Sequence, residues 1–172
     1  VGVIFTRRPT PGAFTLEQAQ LHSSHPPDVV FSLQWSADKS TNGWPGLVVS
    51  DDPNRKPGQG MHVTLSRFDM HNILFAAGPD FRRGVFDPLP TGNIDVAPTV
   101  LWILGVRPPK SLDGRVLTEA LNIAGPKINS FETTRLETKR EFEHNVRHQY
   151  LNVTRLNGVV YFDEGNSFTT PK

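Results

Sequence analysis

Five consecutive apolar residues, 73–77 (Ile-Leu-Phe-Ala-Ala), end abruptly at Gly78-Pro79 and constrain the fold more than any other stretch of this chain. An apolar run of this length, closed by a turn signal, predicts a short strand that is buried on both faces. Such strands are typical of parallel sheets that helices cover on both sides. The run therefore favours an α/β fold, and it places His62, in the loop ahead of the strand, next to the core.

The composition of the 172 residues excludes several classes of protein. Hydrophobic residues make up 37% and charged residues 20%, which argues against a disordered chain. No run approaches the roughly 18 apolar residues of a membrane-spanning helix. The net charge of +1, with the two signs mixed, gives no broad basic footprint for nucleic acid. Without cysteine, a metal would have to be bound by histidine, carboxylate or hydroxyl groups.

Other segments predict a mixture of strands and helices. Strands are predicted at residues 1–6 and 28–35, and helices at residues 14–21, 95–104 and 113–121. The second helix has the clearest signals: Asp95 as N-cap, Pro98 in the first turn and Gly105 as the stop. Its residues Ala97, Val100, Leu101 and Leu104 share one face, as in an amphipathic helix. Residues 36–59 lack periodicity and predict a long, functional loop that leads to His62.

The end of the chain has a different character. Charged and less polar residues alternate from Arg135 to Glu143, a pattern of period two, although a helix competes because Glu, Lys and Arg favour it. Asn157-Gly158 between two β-rich runs is a strong hairpin signal. We therefore predict an antiparallel meander over residues 131–163. The boundary is expected near Gly125, which divides the chain into residues 1–125 (mixed α/β) and 126–172 (antiparallel β).

His62 is the leading candidate for chemistry, because glycines precede it and a hydroxyl-bearing stretch follows it. The ordinary interpretation of a lone loop histidine is a side chain with no special role, and a catalytic zinc needs about three protein ligands. Asp69 and His71 could orient such a ligand or be plain loop residues, and we favour the second. No H-x-x-x-H, H-x-H or D-x-x-x-H pattern supplies further ligands, and no G-x-S-x-G or P-loop motif is present.

The remaining candidates have ordinary explanations. His22 and His25 lie beside two prolines, which favours a solvated loop. His144 and His148 have the i, i+4 spacing of a helical metal site, but the predicted strands weaken that interpretation. Asn152-Val153-Thr154 fits a glycosylation acceptor, which matters only in a secreted protein.

Three segments together resemble the C-terminal metal-ligand region of the alkaline phosphatase superfamily, nearest to its type I phosphodiesterase and nucleotide pyrophosphatase branch. The first segment comprises Gly60-Met61-His62, Asp69-Met70 and residues 73–81. The second is residues 93–106, which contain the pattern D-x-A-P-T and end in L-G-V. The third is Asp113-Gly114-Arg115-Val116-Leu117. The resemblance covers about residues 1–122. It implies that the chain is the C-terminal part of a large mixed sheet flanked by helices, followed by the small meander.

The resemblance also implies an activity. The family hydrolyses phosphate esters with two zinc ions, and His62 would be the last ligand of one of them. The implied substrate is a small phosphate ester or a nucleotide. The nucleophile and the other ligands are not among these residues, so the implied partner is the N-terminal half of the same protein, and we expect this chain to be a piece of it. The family usually has glycine after this histidine, where this chain has Val63.

Two alternatives stay open. One is a non-catalytic binding or interaction module derived from the same fold. The other is a sulfatase fragment, since the helix that begins at Asp95 is similar in both kinds of enzyme. The sequence leaves the compartment open, with secreted and periplasmic locations among the options.

Overall fold

The computed structural model describes residues 1–50, 52–56, 59, 62, 64–123, 128 and 130–172. In this part of the chain the strands are, in order, β1 (Ile4–Thr6), β2 (Phe14–Thr15), β3 (Val29–Phe31), β4 (Trp35–Lys39), β5 (Pro45–Val48), β6 (Glu132–Glu141), β7 (Asn145–Leu156) and β8 (Val159–Pro171). The α-helices are α1 (Arg67–Met70) and α2 (Val96–Ile103), with 3₁₀ turns at Asn93–Asp95 and Thr118–Ala120.

Strand outweighs helix by 35% to 11%, so the class is mixed α and β with sheet dominant. The described strands form three separate sheets, in the orders β2-β1-β3, β4-β5 and β6-β7-β8. The larger sheet flanked by helices stays a prediction. No helix within the described residues is long and apolar enough to cross a membrane.

The chain groups into two compact units that are not continuous in sequence. The first contains Val1–Asn72, Thr134–Val153 and Phe162–Lys172, and the second contains Ile73–Thr133 and Thr154–Tyr161. The boundary expected at residue 125 lies outside the described residues.

In the first unit, β1 is the central strand of a small mixed sheet. It pairs in parallel with β2, where Phe5 lies opposite Phe14, and antiparallel with β3, where Phe5 lies opposite Val30. Phe5 and Phe14 are buried, with ring centroids 6.0 Å apart. The strands predicted at residues 1–6 and 28–35 are therefore present in shortened form, and the second one ends before β4 begins.

The segment predicted as a long loop, residues 36–59, begins with a hairpin, so that prediction is wrong for its first half. Strands β4 and β5 pair antiparallel with Trp35 opposite Val48. The turn between them has Gly43 at φ 82°, a left-handed conformation that glycine adopts without strain. The amide of Ser40 closes the turn on the carbonyl of Trp44 at 2.8 Å. Strands β4 and β5 are short and partly exposed, so they contain too few apolar residues to show the alternation that predicts a strand.

The helix predicted at residues 14–21 is also wrong, because only one turn of it forms. Thr15 and Gln18 exchange hydrogen bonds at 2.8 and 3.2 Å, as in a capping box that starts a helix. Gln20 then adopts φ 57°, outside the helical region, and the chain leaves the helical path. Phe14 and Thr15 instead pair with β1.

The C-terminal meander is confirmed and extends further than predicted, from Glu132 to Pro171. The β7–β8 turn contains Asn157 at φ 50° and Gly158 at φ 85°. Two left-handed residues in succession define the turn type that suits the twist of a hairpin. The competing helix is therefore excluded for residues 135–143.

In the second unit, helix α2 begins at Val96, directly after the 3₁₀ turn at Asn93–Asp95, and Gly105 follows it with φ 72°. The predicted N-cap role of Asp95 is wrong, because its side chain makes no capping hydrogen bond to α2 and binds the amides of Gly92 and Arg115 instead. Its buried residues are Pro98 and Thr99. Ala97, Val100 and Leu104, on the face expected to pack inward, are exposed instead. An apolar stripe marks a surface that favours burial, but burial requires an element that covers it.

The helix predicted at residues 113–121 is reduced to the 3₁₀ turn at Thr118–Ala120. Two of its amides bond to side chains rather than to the preceding turn: Arg115 N–H donates to Asp95 and Leu117 N–H donates to Thr99. Gly114 also lies so close to the carbonyl of Ile94 that a Cβ there would overlap it. Tertiary hydrogen bonds have therefore replaced the helical ones.

The strand predicted at residues 73–77 does not form, and its expected burial is wrong. Ile73 is 79% exposed and Phe75 is 89% exposed. No described residue forms a hydrogen bond with the backbone of this run. A strand exists only where a neighbouring strand satisfies its amides and carbonyls.

Candidate functional site

His62 lies in the segment between β5 and α1, and its side chain is exposed. It makes no hydrogen bond or ion pair with any described residue. Val63, which stands where the family that the sequence resembles usually has glycine, lies outside the described residues.

The chain is firmly anchored two residues after His62. Thr64 forms a parallel bridge with the buried Leu33, and the carbonyl of Leu65 accepts from the amide of Gly165 at 2.8 Å. Ser66 is fully buried, and its hydroxyl accepts from the Phe68 amide at 3.2 Å as the N-cap of α1. The anchor fixes where the segment that carries His62 emerges from the fold.

Helix α1 is held on the first unit through its first two residues. The Arg67 guanidinium lies 3.2 Å from Glu164 and 5.2 Å from the centroid of the Trp35 ring. Phe68 meets Trp35 edge-on at 6.0 Å. Cation–π and edge-to-face contacts of this kind favour a fixed orientation. Arg67 is thus engaged by the protein itself.

Asp69 and His71, the nearest candidates after His62, are both exposed. Asp69 belongs to α1, and His71 caps it, with its amide donating to the Arg67 carbonyl at 3.0 Å. Nowhere in the part of the chain that the structure describes do three or more His, Asp or Glu side chains come together in a group that could hold a metal ion. His62 is thus one candidate ligand without companions among these residues.

The other histidines lie in an irregular segment, a turn and a strand. His22 and His25 are exposed in an irregular segment, and His25 contacts the hydroxyl of Ser24 at 3.0 Å. His144 lies in the turn between β6 and β7, and His148 lies within β7. The i, i+4 spacing of these two therefore places them in different elements and not on one helical face.

His148 contributes to a hollow of about 200 Å³ on the meander, within the first unit. Its ring stacks on Phe168 with centroids 4.9 Å apart, and its Nε2 lies 3.2 Å from the Thr170 hydroxyl. The lining residues are Glu137, Thr138, Lys139, His148, Gln149, Tyr150 and Phe168. Asn152, the possible glycosylation acceptor, is half-buried, and its amide nitrogen donates to Glu164 at 3.2 Å.

A buried polar network that sequence reasoning missed lies in the second unit, around Asp95. The Asp95 carboxylate is fully buried and accepts three hydrogen bonds. The donors are the amide of Gly92 at 2.9 Å, the amide of Arg115 at 2.8 Å and the hydroxyl of Tyr161 at 3.2 Å. The sequence marked Asp95 only as a helix cap, and nothing in it indicates the tyrosine 66 residues away.

Arg115 extends this network. Its Nε donates to the Tyr161 oxygen at 3.1 Å, and its Nη2 donates to the Pro90 carbonyl at 3.0 Å and lies 2.6 Å from Glu119. Burial alone would lower the pKa of Arg115, but the hydrogen bond and charge of Glu119 raise it above its ordinary value. The guanidinium therefore stays charged in the interior.

The phenol of Tyr161 is held in its neutral form. Burial raises its pKa to about 12, and the negative charge of Asp95 adds to the effect. A neutral phenol can donate to Asp95 while it accepts from Arg115. The Asp95 carboxylate and the Tyr161 hydroxyl thus have partners within the network, whereas Nη1 of Arg115 is buried without a hydrogen-bond partner among the described residues.

The same contacts join two of the segments that carry the family resemblance. Asp95 and Thr99, the polar residues of the D-x-A-P-T pattern, accept from the amides of Arg115 and Leu117 in the D-G-R-V-L segment at 2.8 and 3.0 Å. The two motifs are thus halves of one packed substructure. No family model matches this chain, and no solved structure matches it.

Proposed function

We propose that this chain forms the C-terminal part of a zinc-dependent hydrolase of phosphate esters, of the phosphodiesterase and nucleotide pyrophosphatase kind. His62 contributes one zinc ligand. The observation that carries the proposal is the state of His62: an exposed imidazole with no partner among the described residues, two residues before the anchored Thr64–Ser66 segment. That arrangement suits a side chain whose partner comes from outside the chain.

A zinc ion fits this histidine chemically but needs more than this chain supplies. Zinc binds neutral imidazole nitrogen, usually together with two or more further protein ligands in a catalytic site. His62 is exposed and makes no hydrogen bond with any described residue, so none of these residues competes with a metal ion for its ring nitrogens. The remaining ligands and the nucleophile come from a second polypeptide segment. Paired zinc ions in such a site polarise the phosphoryl oxygens and stabilise an in-line displacement.

Further support comes from the packing of the two resembling segments. Polar residues in a short pattern can match a family by chance. Here the polar residues of the pattern, Asp95 and Thr99, are buried and bind the amides of the segment that follows it in the family. The pattern therefore corresponds to a packed structural unit of this chain, as the proposal expects.

A second candidate, a non-catalytic interaction module, is favoured by one observation. Among the described residues no cluster of three potential ligands forms. A module that lost its catalytic half would keep the packed substructure and dispense with zinc. The two candidates differ in whether His62 binds zinc: it does so in the hydrolase and does not in the interaction module.

The test uses the full polypeptide that the gene of this chain encodes, and measures hydrolysis of bis(p-nitrophenyl) phosphate. His62→Ala is expected to reduce kcat/KM at least about 100-fold, since loss of a ligand exceeds the 10–100-fold effect of removing a group that hydrogen-bonds to a ligand. His71→Ala, an exposed histidine nine positions away, is the matched control and is expected to be close to wild type. Equal activity of the His62 variant and the wild type would refute the proposal.

A further inference from the structure

The segment at residues 83–89 lies on the surface of the second unit between two anchored ends, and most of its residues are exposed. Just before it, the Arg82 amide donates to the Ala120 carbonyl at 2.9 Å. Just after it, the Pro90 carbonyl accepts from Arg115 at 3.0 Å. The two ends of the segment are therefore fixed, and its middle depends on the contacts of its own side chains.

Asp87 is the polar side chain that connects the middle of this segment to the rest of the second unit. Among the described residues, the backbone of the segment bonds only locally: the Leu89 amide donates to Asp87 at 3.0 Å, and the Leu89 carbonyl accepts from Thr91 at 3.1 Å. The half-buried Asp87 carboxyl group also lies within hydrogen-bonding reach of Glu119, in the 3₁₀ turn at Thr118–Ala120.

Glu119 is buried with an incomplete set of hydrogen-bond partners. Its side chain is 16% exposed, and neither carboxylate oxygen is accessible to solvent. The Arg115 guanidinium forms an ion pair with one oxygen at 2.6 Å, but apart from Arg115 neither oxygen has a well-aligned donor among the described residues. A buried acceptor without a donor is destabilising. Asp87 can be that donor, but a carboxyl group donates a hydrogen bond only when it is protonated.

The charges of this region also favour one bound proton. Three carboxyl groups, those of Asp87, Asp95 and Glu119, lie around a single guanidinium, that of Arg115. The neutral phenol of Tyr161 offsets none of their charge. If all three carboxyl groups were ionised, the region would carry an excess of negative charge with little water to screen it. A carboxylate close to another carboxylate is therefore expected to keep its proton to a higher pH.

The proton belongs on Asp87 and not on Glu119. Burial raises the pKa of Asp87 and outweighs the hydrogen bond from the Leu89 amide, and the charge of Glu119 raises it further. Burial would also raise the pKa of Glu119, but the hydrogen bond and charge of Arg115 hold it below its ordinary value. Glu119 is thus the ionised acceptor of the pair, and Asp87 is the protonated donor.

We propose that Asp87 and Glu119 share one proton and form a pH-dependent latch for residues 83–89. In the closed state, protonated Asp87 donates a hydrogen bond to ionised Glu119. When Asp87 releases its proton to solvent, two adjacent carboxylates repel each other, and Asp87 turns towards water. The middle of the segment then loses its polar contact with the second unit, while both ends stay anchored. Arg115 stays paired with Glu119, so the network around Asp95 is retained.

The direction of the pH dependence follows from the two groups of the pair. Because the pKa of Asp87 is raised in the folded chain, its contribution to the closed state is complete at low pH and is lost as the pH rises through that pKa. The lowered pKa of Glu119 keeps the acceptor ionised over the range in which Asp87 still holds its proton. The latch is therefore closed between these two pKa values and open above the upper one.

The experiment is a pH titration of the 172-residue chain by NMR, in which carboxyl ¹³C shifts report protonation and ¹⁵N relaxation reports backbone order. Asp87 should titrate above the ordinary value of an aspartate. Over the same pH range, the order parameters of residues 84–88 should fall from about 0.85 to below about 0.6. Asp87→Asn, whose amide donates to Glu119 without titrating, should keep the segment ordered throughout. Asp80→Asn removes an exposed carboxylate of the same unit and should open like the wild type.

A further variant tests whether the two groups share the proton. Glu119→Gln removes the neighbouring charge and should lower the pH at which Asp87 titrates. If a bound water molecule and not Asp87 donates to Glu119, Asp87 titrates at or below the ordinary value of an aspartate, or its titration is the same in Glu119→Gln. Either result would overturn the proposal. Order parameters that stay constant while Asp87 titrates, or that fall equally in Asp87→Asn, would overturn it as well.

Discussion

Replacing Asp95 by alanine tests the buried network most sharply. The carboxylate is 0% exposed and accepts three hydrogen bonds, so its removal leaves the amides of Gly92 and Arg115 and the Tyr161 hydroxyl without their acceptor. Each unsatisfied buried group costs about 1–3 kcal/mol, and some of the three donors will recruit water. We expect Asp95→Ala to lower the free energy of unfolding by about 4 kcal/mol.

The measurement is urea denaturation followed by circular dichroism, with two comparison variants. Asp95→Asn retains one carbonyl oxygen but turns an NH₂ group toward a donor, and it should lose an intermediate amount of stability. Asp69→Ala removes an exposed carboxylate of α1 and should change stability by less than about 0.5 kcal/mol. If Asp95→Ala costs no more than Asp69→Ala, Asp95 does not hold the second unit together.

Two further predictions concern the same unit. Gly114→Ala would drive a Cβ into the carbonyl oxygen of Ile94 and should cost about 2–3 kcal/mol, whereas Gly92→Ala, whose Cβ would meet Tyr161 at 3.4 Å, should cost less than about 1 kcal/mol. Thermal unfolding compares the two, and equal losses would contradict the close packing. Tyr161 has its pKa raised to about 12, so its neutral form stabilises the fold fully below pH 10 and less as the pH rises towards 12. Between pH 10 and 12 the free energy of unfolding of the wild type should fall by about 2 kcal/mol more than that of Tyr161→Phe, which has no phenol to ionise. The same dependence of stability on pH in both proteins would contradict this.

The sequence predicts elements whose signals are local. Asp95, Pro98 and Gly105 mark the two ends of α2, and Asn157-Gly158 marks the hairpin between β7 and β8. Both depend on the conformations of a few neighbouring residues, which the residue types themselves determine. The positions of α2 and of the hairpin are confirmed with boundaries displaced by a few residues, but the Asp95 side chain does not cap α2.

Predictions that depend on contacts with residues distant in sequence are less accurate. The segment at residues 113–121 has a helical stripe, but the side chains of Asp95 and Thr99 take its amides. The segment at residues 14–21 forms a turn and not a helix, because Phe14 and Thr15 pair with β1 and Gln20 leaves the helical region at φ 57°. Residues 73–77 have the composition of a core strand but lack a covering element among the described residues. In each case a tertiary contact, present or absent, decides the outcome.

The candidate functional residues also divide into one that local sequence signals identify and a network that they do not. His62 could be singled out from its glycine-bearing loop and from the family resemblance. The structure places it on the surface without partners among the described residues, and its role as a zinc ligand stays a prediction. The Asp95–Arg115–Tyr161 network could not be found from spacing, because its members lie up to 66 residues apart. No short pattern encodes contacts over that separation.

The zinc content of the full polypeptide that the gene of this chain encodes tests the central proposal most directly. Native mass spectrometry would count the zinc ions bound to that polypeptide as wild type, His62→Ala and His71→Ala. The account predicts that His62→Ala loses one zinc ion relative to the wild type, while His71→Ala keeps the full complement. The same zinc count in all three proteins would contradict it.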